Sequence, residues 1–116
     1  MRTTEQLDPL TRVALERFKS ILSARYGPHL HGLYLFGSRA RGDHRPDSDA
    51  DIAVVLDAAD DPIGEQWSLI DLVYDILLDT GVHIQPWVLT KDRLNVPSDR
   101  MSRGLVGAIR REGVAL

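Results

Sequence analysis

Two short apolar runs set most of what this chain can become. Leu33-Tyr34-Leu35-Phe36 breaks off at Gly37-Ser38, and Asp51-Ile52-Ala53-Val54-Val55-Leu56 begins as soon as a second acidic residue, Asp49, has passed. Runs this short, bounded by turn residues and rich in strand-favouring side chains, read as buried strands. Between them lies a polar connection, Arg39-Ala40-Arg41-Gly42-Asp43-His44-Arg45-Pro46-Asp47-Ser48.

The remaining chain supplies helices for such strands to pack against. Asp8-Pro9 gives an N-cap and a first-turn proline, and Leu10, Val13, Ala14, Phe18, Ile21 and Leu22 recur at helical spacing up to Tyr26-Gly27-Pro28. Residues 57–64 read as a loop, residues 65–79 as a second helix, and Thr80-Gly81 as its end. A third strand is expected over residues 82–89, with Pro86 placing it at a sheet edge or at a bulge. Ser98-Asp99 starts a last helix whose buried stripe is Met101, Leu105, Val106 and Ile109, with Arg110-Arg111 in its final turn and Gly113 as C-cap. The expected fold class is α/β (α+β), a small mixed sheet flanked by helices. The 116 residues form a single domain in this reading.

Chemistry concentrates at the junction of the first two strands. Where a strand ends in Gly-Ser and turns into a new helical turn, free backbone N–H groups face outward and bind phosphate. Gly37 lets the backbone approach such a ligand closely, and the Ser38 hydroxyl adds a donor. Asp49 and Asp51, two apart at a strand entrance, point to the same face. Two carboxylates held together repel unless a cation lies between them, and hard oxygen ligands select Mg²⁺ or Mn²⁺. A phosphate cradle beside a two-carboxylate metal site is what phosphoryl or nucleotidyl transfer needs. Arg39 and Arg41, in the loop after Ser38, are the candidates to clamp the phosphates, ahead of Arg45. His44 reads as a loop residue.

Composition narrows the alternatives. Apolar residues make up 43% and charged residues 27%, which sets disordered and fibrous classes aside. Cysteine is absent, so disulfides and thiolate metal sites are out. The opening residues 1–6 lack the apolar run of a signal peptide, and no stretch approaches the ~18–20 apolar residues of a membrane span. A cytoplasmic location without membrane contact is the expectation. A net charge of −3 argues against direct nucleic-acid binding.

Gly37-Ser38, ten residues, then Asp49-x-Asp51 resembles the signature of the DNA polymerase beta-like nucleotidyltransferase superfamily. The short length is similar to its minimal nucleotidyltransferase branch, the antitoxins of HEPN/MNT toxin–antitoxin pairs. The resemblance implies a polymerase-beta-like fold, with Gly37 and Ser38 on the NTP phosphates and Asp49 and Asp51 on divalent metal. It further implies transfer of AMP from ATP to a tyrosine of a helical HEPN-type RNase toxin, with a hetero-oligomer as the working assembly. One position departs from the superfamily. The third carboxylate usually supplied by the next strand is missing from Val82-His83-Ile84-Gln85-Pro86-Trp87, where His83 or Gln85 takes its region. Two other readings stay open: a binding module that blocks a toxin without catalysis, and an adenylyltransferase acting on small molecules.

Asp71, Asp75 and Asp79 repeat at helical spacing, and like charges so placed destabilise a helix by ~0.2–0.5 kcal/mol per pair. A solvated face is the plain reading; contact with a basic partner is the sharper one. Trp67 and Trp87 are expected to pack in the core or an interface.

Overall fold

The structure, a computed structural model, describes residues 7–116; the opening segment 1–6, read above for a signal peptide, lies outside the described residues. Helix α1 (Pro9–Tyr26) starts as its sequence requires: the Asp8 carboxylate accepts hydrogen bonds from the Thr11 N–H at 3.0 Å and the Thr11 hydroxyl at 2.7 Å. Its buried line is Thr11, Ala14, Leu15, Phe18 and Leu22, whereas Leu10 and Val13 are exposed. The expected stripe was thus rotated slightly from the real one, because Thr11 is drawn inward by polar partners described below.

A single turn of 3₁₀-helix (Gly27–His29) leads into β1 (Leu30–Phe36), the four-residue helix α2 (Ser38–Arg41) and β2 (Ala50–Leu56). The segment expected as one helix over 65–79 is two: α3 (Pro62–Ser68) and α4 (Ile70–Thr80), meeting at Leu69. Asp61-Pro62 starts α3 inside what read as loop, the Asp61 carboxylate accepting from the Gly64 N–H at 3.0 Å. Leu69 is fully buried, and the chain bends there to bring its side chain inward. Strand β3 (Ile84–Thr90), the short α5 (Lys91–Asn95), α6 (Arg100–Glu112) and the two-residue β4 (Val114–Ala115) complete the order. In α6 a capping box joins Asp99 and Ser102, and the buried residues are Ser102 and Val106; Met101, expected inside, is exposed.

The four strands form one mixed sheet in the order β3-β2-β1-β4. β1 runs antiparallel to β2 and β4, and β2 runs parallel to β3 through the α3–α4 crossover. On one face α1 and α4 bury Phe18, Leu22, Leu35, Ile52, Val54 and Ile76. On the other, α6 covers Phe36, Ala53, Val55 and Leu89. The small mixed sheet flanked by helices is the expected architecture, and Pro86 does lie in an edge strand. That edge is finished with side chains: the Val88 N–H donates to Gln66 at 2.9 Å, and the Gln85 amide donates to the Pro86 carbonyl at 3.1 Å. Among the described residues no helix is long and apolar enough to cross a membrane.

Candidate active site

Alternation along β2 settles where the acidic pair points. Ala53 and Val55 face α6, so Asp51 emerges on that same face, beside the C-terminal end of α6, with Asp49 just before the strand. Asp51 pairs across the sheet with Phe36 of β1 and with Gln85 of β3. Gly37 therefore sits directly beside it. A β-carbon on Gly37 would stand 2.6 Å from Asp51 Oδ2, and Gly37 has φ +80°, so the position excludes side chains twice over. The Gly-Ser turn and the acidic pair meet as the spacing predicts.

One carboxylate is held by β3 and the other by the residue just before it. Asp51 Oδ1 accepts from the Trp87 indole N–H at 3.1 Å, and Asp49 Oδ1 lies 2.8 Å from His83 Nδ1. A carboxylate only accepts, so Nδ1 carries the proton in that contact. Of the two residues expected near the missing third carboxylate, His83 is the one that touches the pair, and it does so as a donor. Gln85 turns its amide to the backbone of its own strand. Trp87, expected to pack, is half-buried against the second cluster and orients Asp51 as well; Trp67 is exposed.

Burial raises the Asp51 carboxyl above its ordinary value; the charges of Asp49 and Glu112 add to this, and the Trp87 bond and Arg41 only partly oppose it. Such a group is relieved by a cation. Among the described residues no three His, Cys, Asp or Glu side chains gather as a metal-holding group. The donor set is two carboxylates, which fits Mg²⁺, an ion that commonly takes one or two carboxylates and completes its shell with water and substrate phosphate.

The arginines divide. Arg39, expected to clamp phosphate, is 5% exposed and turned away from the cleft. It donates to the Ser48 carbonyl at 2.9 Å, the Thr11 hydroxyl at 2.9 Å and the Pro46 carbonyl at 3.2 Å, with Asp8 at 3.6 Å. Its work is to fasten α2 and the 42–48 segment after it to α1, so that Asp49 enters β2 in register. Arg39→Ala is expected to cost about 2 kcal/mol, through acceptors left unpaired, seen as a lower urea midpoint at unchanged slope. Lysine, with one nitrogen in place of a fork, would recover little of it.

Arg41 stays at the surface beside the Gly-Ser turn. It binds Asp43 at 3.2 Å and the Glu112 carboxylate at 3.0 Å and 3.1 Å. Arg45 is exposed, its backbone N–H on the Ser48 hydroxyl. Sequence reasoning passed over Glu112 entirely. Its carboxylate also accepts the Gly37 N–H at 2.9 Å. No local signal marks it, since it lies in the last turn of α6 and reaches the site only through the fold.

Comparison with known proteins places the chain in a family. Residues 15–105 match the family model described as a nucleotidyltransferase domain. "Putative protein adenylyltransferase MJ0604" of Methanocaldococcus jannaschii is 35% identical over 82 residues, covering 71% of this chain and 76% of the relative. A solved toxin–antitoxin complex with AMP-PNP shares the fold at TM-score 0.56 and 24% identity, over 84% of this chain and 68% of the other. A mutant form of the toxin–antitoxin MntA-HpeT matches at TM-score 0.56 and 25% identity, over 87% of this chain and 70% of the other. With the Gly-Ser turn abutting a paired carboxylate site in this fold, the chain belongs to the nucleotidyltransferase domain family and is a nucleotidyltransferase.

Proposed function

We propose that this nucleotidyltransferase moves AMP from ATP to a hydroxyl of a partner protein, as the antitoxin of a pair whose toxin is a helical HEPN-type RNase. The observation that carries the reading is the close approach of Gly37 to Asp51, with Asp49 two residues before it and bonded to His83. The Gly37 N–H, the Ser38 hydroxyl and Arg41 hold the phosphates. Asp49 and Asp51, oriented by His83 and Trp87, hold Mg²⁺, with Mn²⁺ as a substitute. When bound, that ion neutralises the triphosphate and favours in-line displacement at phosphorus. The acceptor oxygen bonds to the α-phosphorus, the bond to the bridging oxygen breaks, pyrophosphate leaves, and the acceptor loses its proton.

A protein acceptor is supported from two directions. The Methanocaldococcus relative is named for adenylyl transfer to protein, and the solved neighbours are toxin–antitoxin assemblies. On this chain, α4 carries an exposed apolar line, Ile70, Tyr74 and Leu78, directly beside exposed Asp71 and Asp75, which have no ion pair among the described residues. Asp79 is paired with Arg17. Such a face suits a partner helix with apolar and basic sides, and it favours a hetero-oligomer over self-association.

The second reading, an antitoxin that acts by binding alone, draws on one feature: Gln85, not a carboxylate, pairs with Asp51 across the sheet. One experiment separates the two. The chain is incubated with ATP, Mg²⁺ and a candidate helical HEPN-type partner, and the partner's mass is measured. The expected result is one or more added AMP units, absent when Asp49 and Asp51 are both alanine. An unmodified partner, bound equally well by the double variant, would leave binding as the function.

A further inference from the structure

Glu112 is an odd residue to find where it is. A carboxylate in the last turn of a helix faces the negative end of the dipole, where Arg110 and Arg111 are the favourable neighbours. The sequence places it there regardless, and the fold fixes it from both sides: α6 precedes it, and after Gly113 the two residues of β4 pair with Tyr34 and Leu35 of β1. Its side chain is only 16% exposed. Oε1 takes the Gly37 N–H at 2.9 Å and Arg41 at 3.1 Å, and Oε2 takes Arg41 at 3.0 Å. These are charge-assisted bonds, and they outweigh the effect of burial, holding the Glu112 carboxyl below its ordinary value.

The same donors, one backbone N–H of the Gly-Ser turn and the exposed arginine beside it, are those assigned above to phosphate. An anion already occupies them, supplied by the chain itself. We propose that Glu112 is a resident competitor for the nucleotide: its carboxylate sits on the triphosphate's donors, and NTP binds only as Glu112 swings off Gly37 and Arg41. The proposal rests on the nucleotidyl-transfer reading of the site. It adds a specificity element to it, because a ligand with several phosphate oxygens displaces a carboxylate that a monophosphate leaves seated. An affinity reduced by the fraction of molecules with the seat free is the quantitative signature. A seat covered nine-tenths of the time weakens apparent binding about tenfold.

The test is calorimetric binding of Mg²⁺–AMP-PNP to the full chain and to E112A, E112Q, R41A and the double variant E112A/R41A. Thermal unfolding of each confirms that it is folded. Binding about tenfold tighter in E112A is expected, with a smaller gain in E112Q, which keeps the acceptor for Gly37 but loses the charge. The gain shrinks when measured in the Arg41→Ala background, where half of the contested seat is gone. If Glu112 instead merely braces Arg41 and the turn, E112A and E112Q bind equally or more weakly than the natural chain, and the proposal falls while nucleotide binding stands. Absence of AMP-PNP binding from the natural chain and every variant overturns the nucleotidyl-transfer reading, and this proposal with it.

Discussion

Asp51→Asn is expected to remove transfer activity and, at the same time, to make the protein more stable. The amide keeps an oxygen for the Trp87 indole and nearly the same volume, so the packing of β2 against β1 and β3 is preserved. What it loses is charge. Without that charge the proposed Mg²⁺ site keeps one carboxylate, and several kcal/mol of transition-state stabilisation go with it, about a thousandfold or more in rate. Transfer of label from α-labelled ATP measures this. The stability effect has the opposite sign. Asp51 is raised above its unfolded value, first by burial and then by Asp49 and Glu112. Stability from such a group is fully present below the unfolded carboxyl range and is lost as pH rises through the folded value. At neutral pH the ionised side chain is therefore a standing cost, which the amide abolishes. Melting in metal-free buffer should rise by about 2–4 °C at neutral pH, and the difference should close as pH falls through the carboxyl range. An equal or lower melting temperature at neutral pH would mean that Asp51 is already relieved.

Gly37→Ala should be far more damaging than its size suggests. At φ +80° and ψ −160° the backbone occupies a region that L side chains enter only under strain. The added methyl would also meet Asp51 Oδ2 at 2.6 Å, and Asp51 is fixed by Trp87 and cannot retreat without breaking that bond. Conformational strain and overpacking together are expected to cost about 3 kcal/mol, read by urea unfolding. Gly42→Ala is the internal comparison. Gly42 also has positive φ, at +84°, but its ψ of 9° lies in the ordinary left-handed region. The cost there should be about 1–2 kcal/mol. Equal losses at the two positions would show that the close approach to Asp51 contributes nothing.

These two residues also mark what was legible in the sequence. The approach of Gly37 to Asp51 was legible because one run ends at Gly37 and the next begins at Asp51, so antiparallel pairing of the two strands sets them side by side. Pro86 was readable for a similar reason, since a missing N–H has only a few places in a sheet. The misreadings have a common cause. Arg39 and Arg41 are equivalent as letters, two residues apart in one short helix; Thr11 and Asp8 on one side and the Ser48 and Pro46 carbonyls on the other hold the first inward, while the second stays at the surface. Leu69 looked like one more apolar residue in a continuous helix, yet it is fully buried at the junction where α3 ends and α4 begins. Glu112 could not be found by any local pattern, because its partner Gly37 is 75 residues away and α6 must dock before they meet.

The finished edge of β3 carries a consequence for the protein in concentrated solution. An open strand edge is a template on which another chain can lay a strand, the first step toward fibrous aggregates. Here Pro86 offers no donor, its carbonyl is taken by Gln85, and the Val88 donor is taken by Gln66 of α3. At the opposite edge, β4 is two residues long. Among the described residues, two outward groups of β3 are capped and β4 offers only two residues for pairing. Encounters between copies are thereby steered away from strand pairing and toward side-chain contacts, which dissociate on dilution.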